Sequence, residues 1–204
     1  MADTVVTSED LERQLEKVCA QARGSTEGVF GPNSLMWQIN REAAIFLGAG
    51  RALLLQLAHP FVAASIAEHP RSLADPIGRF HRTFRIVFTL VFGTLEQAID
   101  AARWLHHLHA RIEGILPEAA GPFAEGTPYF ANDISALRWV HATLIESALI
   151  AHDLTFASLT DYDRERYYAE SVIFAGLFGI PQEVLPSDRK SFMAYTRRCL
   201  ALIF

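Results

Sequence analysis

Three histidines crowd the middle of the chain, His106, His107 and His109, and a fourth, His141, follows in a later apolar stretch. A neutral imidazole projecting into hydrocarbon is a suitable ligand for a haem iron, because its surroundings hold the macrocycle and exclude competing water. Helical spacing separates the candidates. Ala98, Ala102, Leu105, His109, Ile112 and Leu116 recur at intervals of four and three, a buried seam that turns His109 inward. His107 shares a face with Asp100, Arg103 and Arg111 and is expected in solvent, whereas His106 lies at the boundary. His141, in the series Leu137, His141, Leu144, Ala148, points inward by the same test, and periodicity does not rank it against His109. The competing account of any inward histidine is a core side chain whose nitrogens are satisfied by hydrogen bonds.

A second group precedes these. The segment from Asp75 to Gly93 aligns Phe80, Phe84, Val87, Phe88 and Val91 on one stripe and leaves Arg79, Arg82 and Thr83 together on the other side. Guanidinium forks grip carboxylates in a planar bidentate way, and a neighbouring hydroxyl can hydrogen-bond a bound molecule. Ion pairs with Asp75 or Glu68 would be the plainer use of those arginines. His59 and His69 each precede a proline near a helix end, where a histidine is expected to cap carbonyls or meet the negative dipole. Sharper chemistries are missing. No Glu-x-x-His or His-x-x-x-His pair, phosphate-binding loop or Gly-x-Ser-x-Gly elbow occurs, and Gly48-Ala-Gly50 sits in a helical pattern, where its glycines would permit close helix crossing.

The elements that must carry these residues are helices. Apolar residues recur at three and four nearly everywhere, without period-two alternation, which predicts an all-α, multi-helix bundle. Ser8 is read as the cap of a first helix ending near Gly24, and the glycine-rich run to Asn33 as a linker. The expected division is therefore an N-terminal helix and linker over 1–33 and a helical domain over 34–204. From Ser34 a short helix leads to a long one through Arg41 to His59, and Pro60 opens another piece to His69. Asp75-Pro76 starts the arginine-bearing helix, and Thr94 with Gln97 opens the histidine helix, expected to run to about Leu116. Further helices are expected from Asp133 to about His152, from Thr160 to Gly179, and from Ser187 to the terminus.

Composition narrows the partners. Half of the 204 residues are hydrophobic, and the net charge of −5 shows no basic surface for nucleic acid. Two distant cysteines, Cys19 and Cys199, and an acidic start without an apolar stretch predict a reducing, cytoplasmic setting without a secretory signal. The longest uncharged run, Ala52 to Ala67, is interrupted by Gln56, His59 and Pro60, so no transmembrane segment is expected. The apolar surplus points instead to a greasy cavity or a partner surface.

Taken in order, Gly50-Arg-Ala-Leu-Leu-Leu-Gln-Leu-Ala-His-Pro60, Asp75-Pro76 with Arg79 and Arg82-Thr83, His109 in Leu-His-Ala-Arg-Ile-Glu-Gly, Trp139-Val-His-Ala-Thr-Leu144, and Tyr167-Tyr168 with Glu170 resemble the oxygenase family of latex clearing protein (rubber oxygenase) and MpaB. The resemblance implies a globin-like core around haem b and dioxygen-dependent cleavage of an isoprenoid double bond. His109 would be the proximal iron ligand, with His106 and His141 as rivals, and Arg79 and Thr83 the polar pair beside the haem. Arg82 stands where rubber oxygenase has a distal lysine; a guanidinium is a very poor iron ligand, so distal ligation is not expected. A glutamate base has no counterpart near Ala63, Glu68 being the nearest carboxylate. Family members usually continue beyond this point, so the last helix is expected to be either docked or cut short.

Three readings follow. The first is a haem-dependent oxygenase acting on dioxygen and a small hydrophobic substrate, with Arg79, Arg82 and Thr83 orienting polar groups at the site. The second is a protein that binds haem or a lipid-like molecule without turnover. The third is a haem-free bundle whose apolar surplus forms a homodimer.

Overall fold

The computed structural model describes residues 5–22, 27–68 and 75–203. His69 lies outside them. In chain order the elements are α1 (Ser8–Gln21), α2 (Leu35–Asn40), α3 (Ile45–Gln56), α4 (Pro60–Ala67), α5 (Pro76–Phe92), α6 (Leu95–His109), strands β1 (Glu113–Ile115) and β2 (Pro128–Phe130), α7 (Ile134–Thr155), α8 (Asp161–Gly176), a single 3-10 turn, and α9 (Arg189–Ile203). The all-α expectation holds, with one small hairpin added.

Caps explain most boundaries. Thr7, not Ser8, starts α1, because Asp10 lies three residues beyond it and closes a reciprocal box: Asp10 N–H donates to Thr7 Oγ1 at 3.1 Å and Thr7 N–H to Asp10 Oδ2 at 3.0 Å. Asp75 and Thr94 cap α5 and α6 as expected. Asp188 replaces Ser187 at the last helix, its carboxylate accepting Ser191 N–H at 2.7 Å. The long helix expected from Arg41 to His59 begins only at Ile45 and ends at Gln56.

The largest departure follows His109. The apolar seam continues in sequence to Leu116, but α6 stops at His109 and residues 113–115 pair antiparallel with 128–130. Gly114 is a poor helix former, and a Cβ on it would lie 2.5 Å from Tyr129 Oη, so its bare backbone lets the Tyr129 ring close over the hairpin. Spacing alone does not show where a helix gives way to such a strand.

The centre of the fold is α7 with α3 across it. A Cβ on Gly48 would stand 2.6 Å from Ser147 O, so this crossing requires glycine, whereas Gly50 faces open space. Arg51 reaches Ser147 Oγ at 2.8 Å and Glu146 Oε2 at 2.6 Å, Gln56 donates to Thr143 Oγ1 at 3.2 Å, and Trp139 Nε1–H donates to Leu55 O at 2.7 Å. By length and composition α7 could cross a bilayer, yet Leu137, Trp139, Ile145 and Ala148 are buried in the protein. Leu11, Leu15 and Val18 of α1 join the same core as Met36, Leu90, Tyr167, Phe174 and Phe192.

Candidate functional site

His109 is the last residue of α6, on the helix face that buries Ala98 and Ala102. Part of the residue meets solvent, but its ring is desolvated enough to hold the pKa down to about 4, so the imidazole is neutral at ordinary pH. Asn132, just before α7, acts against that shift and favours the protonated ring. The Asn132 amide also donates to His106 O at 3.2 Å, which ties the end of α6 to the start of α7.

The other histidines are engaged differently. His106 Nε2 lies 3.0 Å from Val6 O and holds the segment that enters α1. His107 is exposed and pairs with Arg111, as its helical position predicts. His141 is only 3% exposed, and its Nε2 lies 2.8 Å from Ser171 O on α8; burial holds its pKa down to about 4 as well. His59 does not cap a helix end. Its Nδ1 accepts Phe61 N–H at 3.3 Å and so opens α4, because Pro60 at the first helical position leaves that next donor without a partner.

Arg79, Arg82 and Thr83 occupy the first half of α5, which packs against α6, but no hydrogen bond links them to His109. Arg82 is exposed and pairs with Asp75 at 3.2 Å. Arg79 is half-buried and makes no hydrogen bond or ion pair with any described residue; burial lowers its pKa from the usual arginine value. Thr83 is exposed. Glu68 is taken up by Tyr129, whose hydroxyl donates to Glu68 Oε2 at 2.6 Å.

An aromatic cleft that the helix pattern did not reveal lies on the far side of α5. About 750 Å³ in volume, it is lined by Phe46 of α3, by Phe80, Phe84 and Phe88 of α5, and by the polar Arg85, Gln97 and Asp100. Phe46 stacks at 4.8 Å from Phe84, and the α5 rings follow one another at four-residue steps. The stripe itself was legible; that Phe46 from another helix faces it was not. His109, Arg79 and Thr83 do not line this cleft.

The resembling landmarks have structural work here. Glu170 Oε2 accepts Met36 N–H at 2.7 Å at the start of α2, Tyr168 Oη–H donates to Pro186 O at 2.6 Å, and Trp139 holds the end of α3. Residues 36–202 of the 204 match the family model described as ER-bound oxygenase mpaB/B'/rubber oxygenase, catalytic domain. The chain belongs to this family. Membership in the MpaB/rubber oxygenase family makes it an oxygenase-like protein, for which a substrate and dioxygen are the implied partners. No curated protein and no solved structure matches the chain.

Proposed function

We propose that this MpaB/rubber oxygenase family member is a haem b-dependent oxygenase acting on a small, hydrophobic, isoprenoid-like substrate, with His109 as the iron ligand. The observation that carries this reading is the desolvated, neutral imidazole of His109 at the end of α6, on the face that buries Ala98 and Ala102. His106 and His141 each commit Nε2 to a backbone carbonyl, which favours His109 among the three. Among the described residues no three His, Cys, Asp or Glu side chains converge on a common point. A single protein ligand is the donor set that haem requires, since the porphyrin supplies four nitrogens of its own.

When bound, the haem iron would supply the binding and activation of dioxygen. Burial would keep the His109 ring unprotonated and available. Arg79, a half-buried cation without a partner among the described residues, suits a carboxylate such as a haem propionate or a polar group of the substrate. Thr83, one turn further along α5, would add a hydroxyl, and Arg82 could join once released from Asp75. The surrounding apolar helices would exclude water from the alkene. Because Glu68 is held by Tyr129, no carboxylate is assigned as base.

The test is oxygen uptake by hemin-loaded protein given an unsaturated isoprenoid, with carbonyl products identified by mass. Turnover is expected, and Arg79→Ala is expected to lower it by about tenfold or more through lost positioning. Tight hemin binding without oxygen uptake or carbonyl product would replace the oxygenase with a haem or lipid-like ligand carrier.

A further inference from the structure

Two hollows adjoin between α2, α3 and α5. The aromatic cleft described above shares Phe46, Phe88 and Phe92 with a second hollow of about 400 Å³, which runs on to Trp37 and Asn40 of α2. The rings form a connected set: Phe46 lies 6.1 Å from Phe88, Phe88 lies 5.6 Å from Phe92, and Trp37 meets Phe92 edge-on at 4.8 Å. Concave, apolar-walled spaces of this size with few polar groups are what small-molecule sites are made of, and walls built of rings favour a flat aromatic ligand.

The polar group that sets this space apart is Asn40. Only 9% exposed, it ends α2 and lines the second hollow. Its Nδ2 donates to Met36 O at 2.8 Å and lies 3.1 Å from Met36 Sδ and 3.5 Å from Tyr167 Oη. A carbonyl oxygen and a thioether accept but do not donate, so the amide nitrogen must face Met36 and the amide oxygen turns the other way. Asn40 Oδ1 accepts no hydrogen bond from any described residue, and it is not sealed inside the protein. A side chain nine-tenths buried with an idle acceptor calls for a donor from outside the chain.

The charges around these hollows do not select an ion. Arg41 is paired with Glu42 at 3.2 Å, and the first cleft carries Arg85 and Asp100, one of each sign. A lipid tail, or an apolar side chain from a second copy of the chain, would fill the space among the rings but cover Asn40 Oδ1 without a donor, the arrangement that buried polar groups avoid. A flat apolar body with one neutral hydroxyl matches the rings, the acceptor and the balanced charge together.

We infer that the hollow between α2, α3 and α5 binds a neutral aromatic alcohol, its hydroxyl donating to Asn40 Oδ1 and its rings lying among Trp37, Phe46, Phe88 and Phe92. The inference does not rest on the haem reading, because His109, Arg79 and Thr83 line neither hollow.

The experiment is equilibrium dialysis of the purified full chain against β-naphthol and against its methyl ether, which has nearly the same body but no donor. The naphthol is expected to bind about tenfold more tightly, the weight of one hydrogen bond to a partly desolvated acceptor. Asn40→Ala is expected to bind the two probes alike. Phe46→Ala, at a side chain 45% exposed, is expected to weaken both by about fivefold and to keep the preference for the alcohol. His109→Ala is expected to bind the naphthol as wild type does, so the haem reading can fail with this inference intact. An unchanged helical circular dichroism signal confirms that each variant folds; if Asn40→Ala does not, wild type with the two probes and Phe46→Ala decide the matter. The inference is overturned if wild type binds neither probe or binds both equally, if a folded Asn40→Ala protein keeps the preference, or if Phe46→Ala binds the naphthol as wild type does. It is equally overturned if stoichiometric hemin displaces the naphthol, which would put the alcohol in the haem site, or if wild type is a dimer that Phe46→Ala splits while no naphthol binds.

Discussion

Trp139→Ala is expected to cost about 3–5 kcal/mol, the usual range for emptying a large aromatic site. Trp139 is 2% exposed and lies where α7 passes under the end of α3. Two losses combine. The indole volume disappears from a contact that also contains Gly48 against Ser147, where the backbones already touch and cannot close further to fill a hole. Leu55 O, at the last turn of α3, also loses the Nε1–H donated to it at 2.7 Å and keeps only backbone donors such as Ala58 N–H at 3.1 Å. A lowering of Tm by roughly 10 °C is the corresponding thermal reading. Trp139→Phe restores ring volume without the donor and is expected to recover more than half of the loss. A Trp139→Ala protein as stable as wild type would show that the α3–α7 crossing is not the structural centre.

Acid is expected to weaken the fold between about pH 6.5 and pH 4. Both His109 and His141 carry pKa values lowered from 6.5 to about 4 by burial. The unfolded chain therefore binds protons on these rings that the folded chain refuses, so stability is fully present above 6.5 and lost as pH falls toward 4. For His141, which is enclosed, the loss by pH 4 is about 3 kcal/mol; for His109, part of which meets solvent, it is smaller. Denaturant midpoints at neutral and acid pH measure it. His141→Gln keeps a donor for Ser171 O but does not titrate, and is expected to flatten the slope by about one proton. A variant slope equal to that of wild type would remove His141 as its source.

Helix starts were legible because they rest on local chemistry. Asp75-Pro76, Thr94 with Gln97, Asp133 and Thr160 all act as caps, and the Thr7 and Asp188 differences are one-residue choices between adjacent cap-forming side chains. The end of α6 was not legible. Ile112 and Leu116 continue the apolar seam, and only the long-range closure of Tyr129 over Gly114 converts that segment to a strand. The inward direction of His109 and His141 could be read from spacing, but their difference lies in partners from elsewhere in the chain, Asn132 for one and Ser171 for the other. For Arg79 and Arg82 a pairing with Asp75 was foreseeable, but not that Arg82 alone would take it and leave the half-buried Arg79 without a partner among the described residues.

His109 is the decisive residue. Titrating purified protein with hemin and recording the absorption spectrum tests it most directly, with His109→Ala and His106→Ala alongside. Wild type and His106→Ala are expected to give the same sharp Soret band, and His109→Ala is expected to lose it or to bind hemin at least about tenfold more weakly. A His109→Ala protein that binds hemin with the wild-type band and affinity would contradict the account and place the iron on another residue.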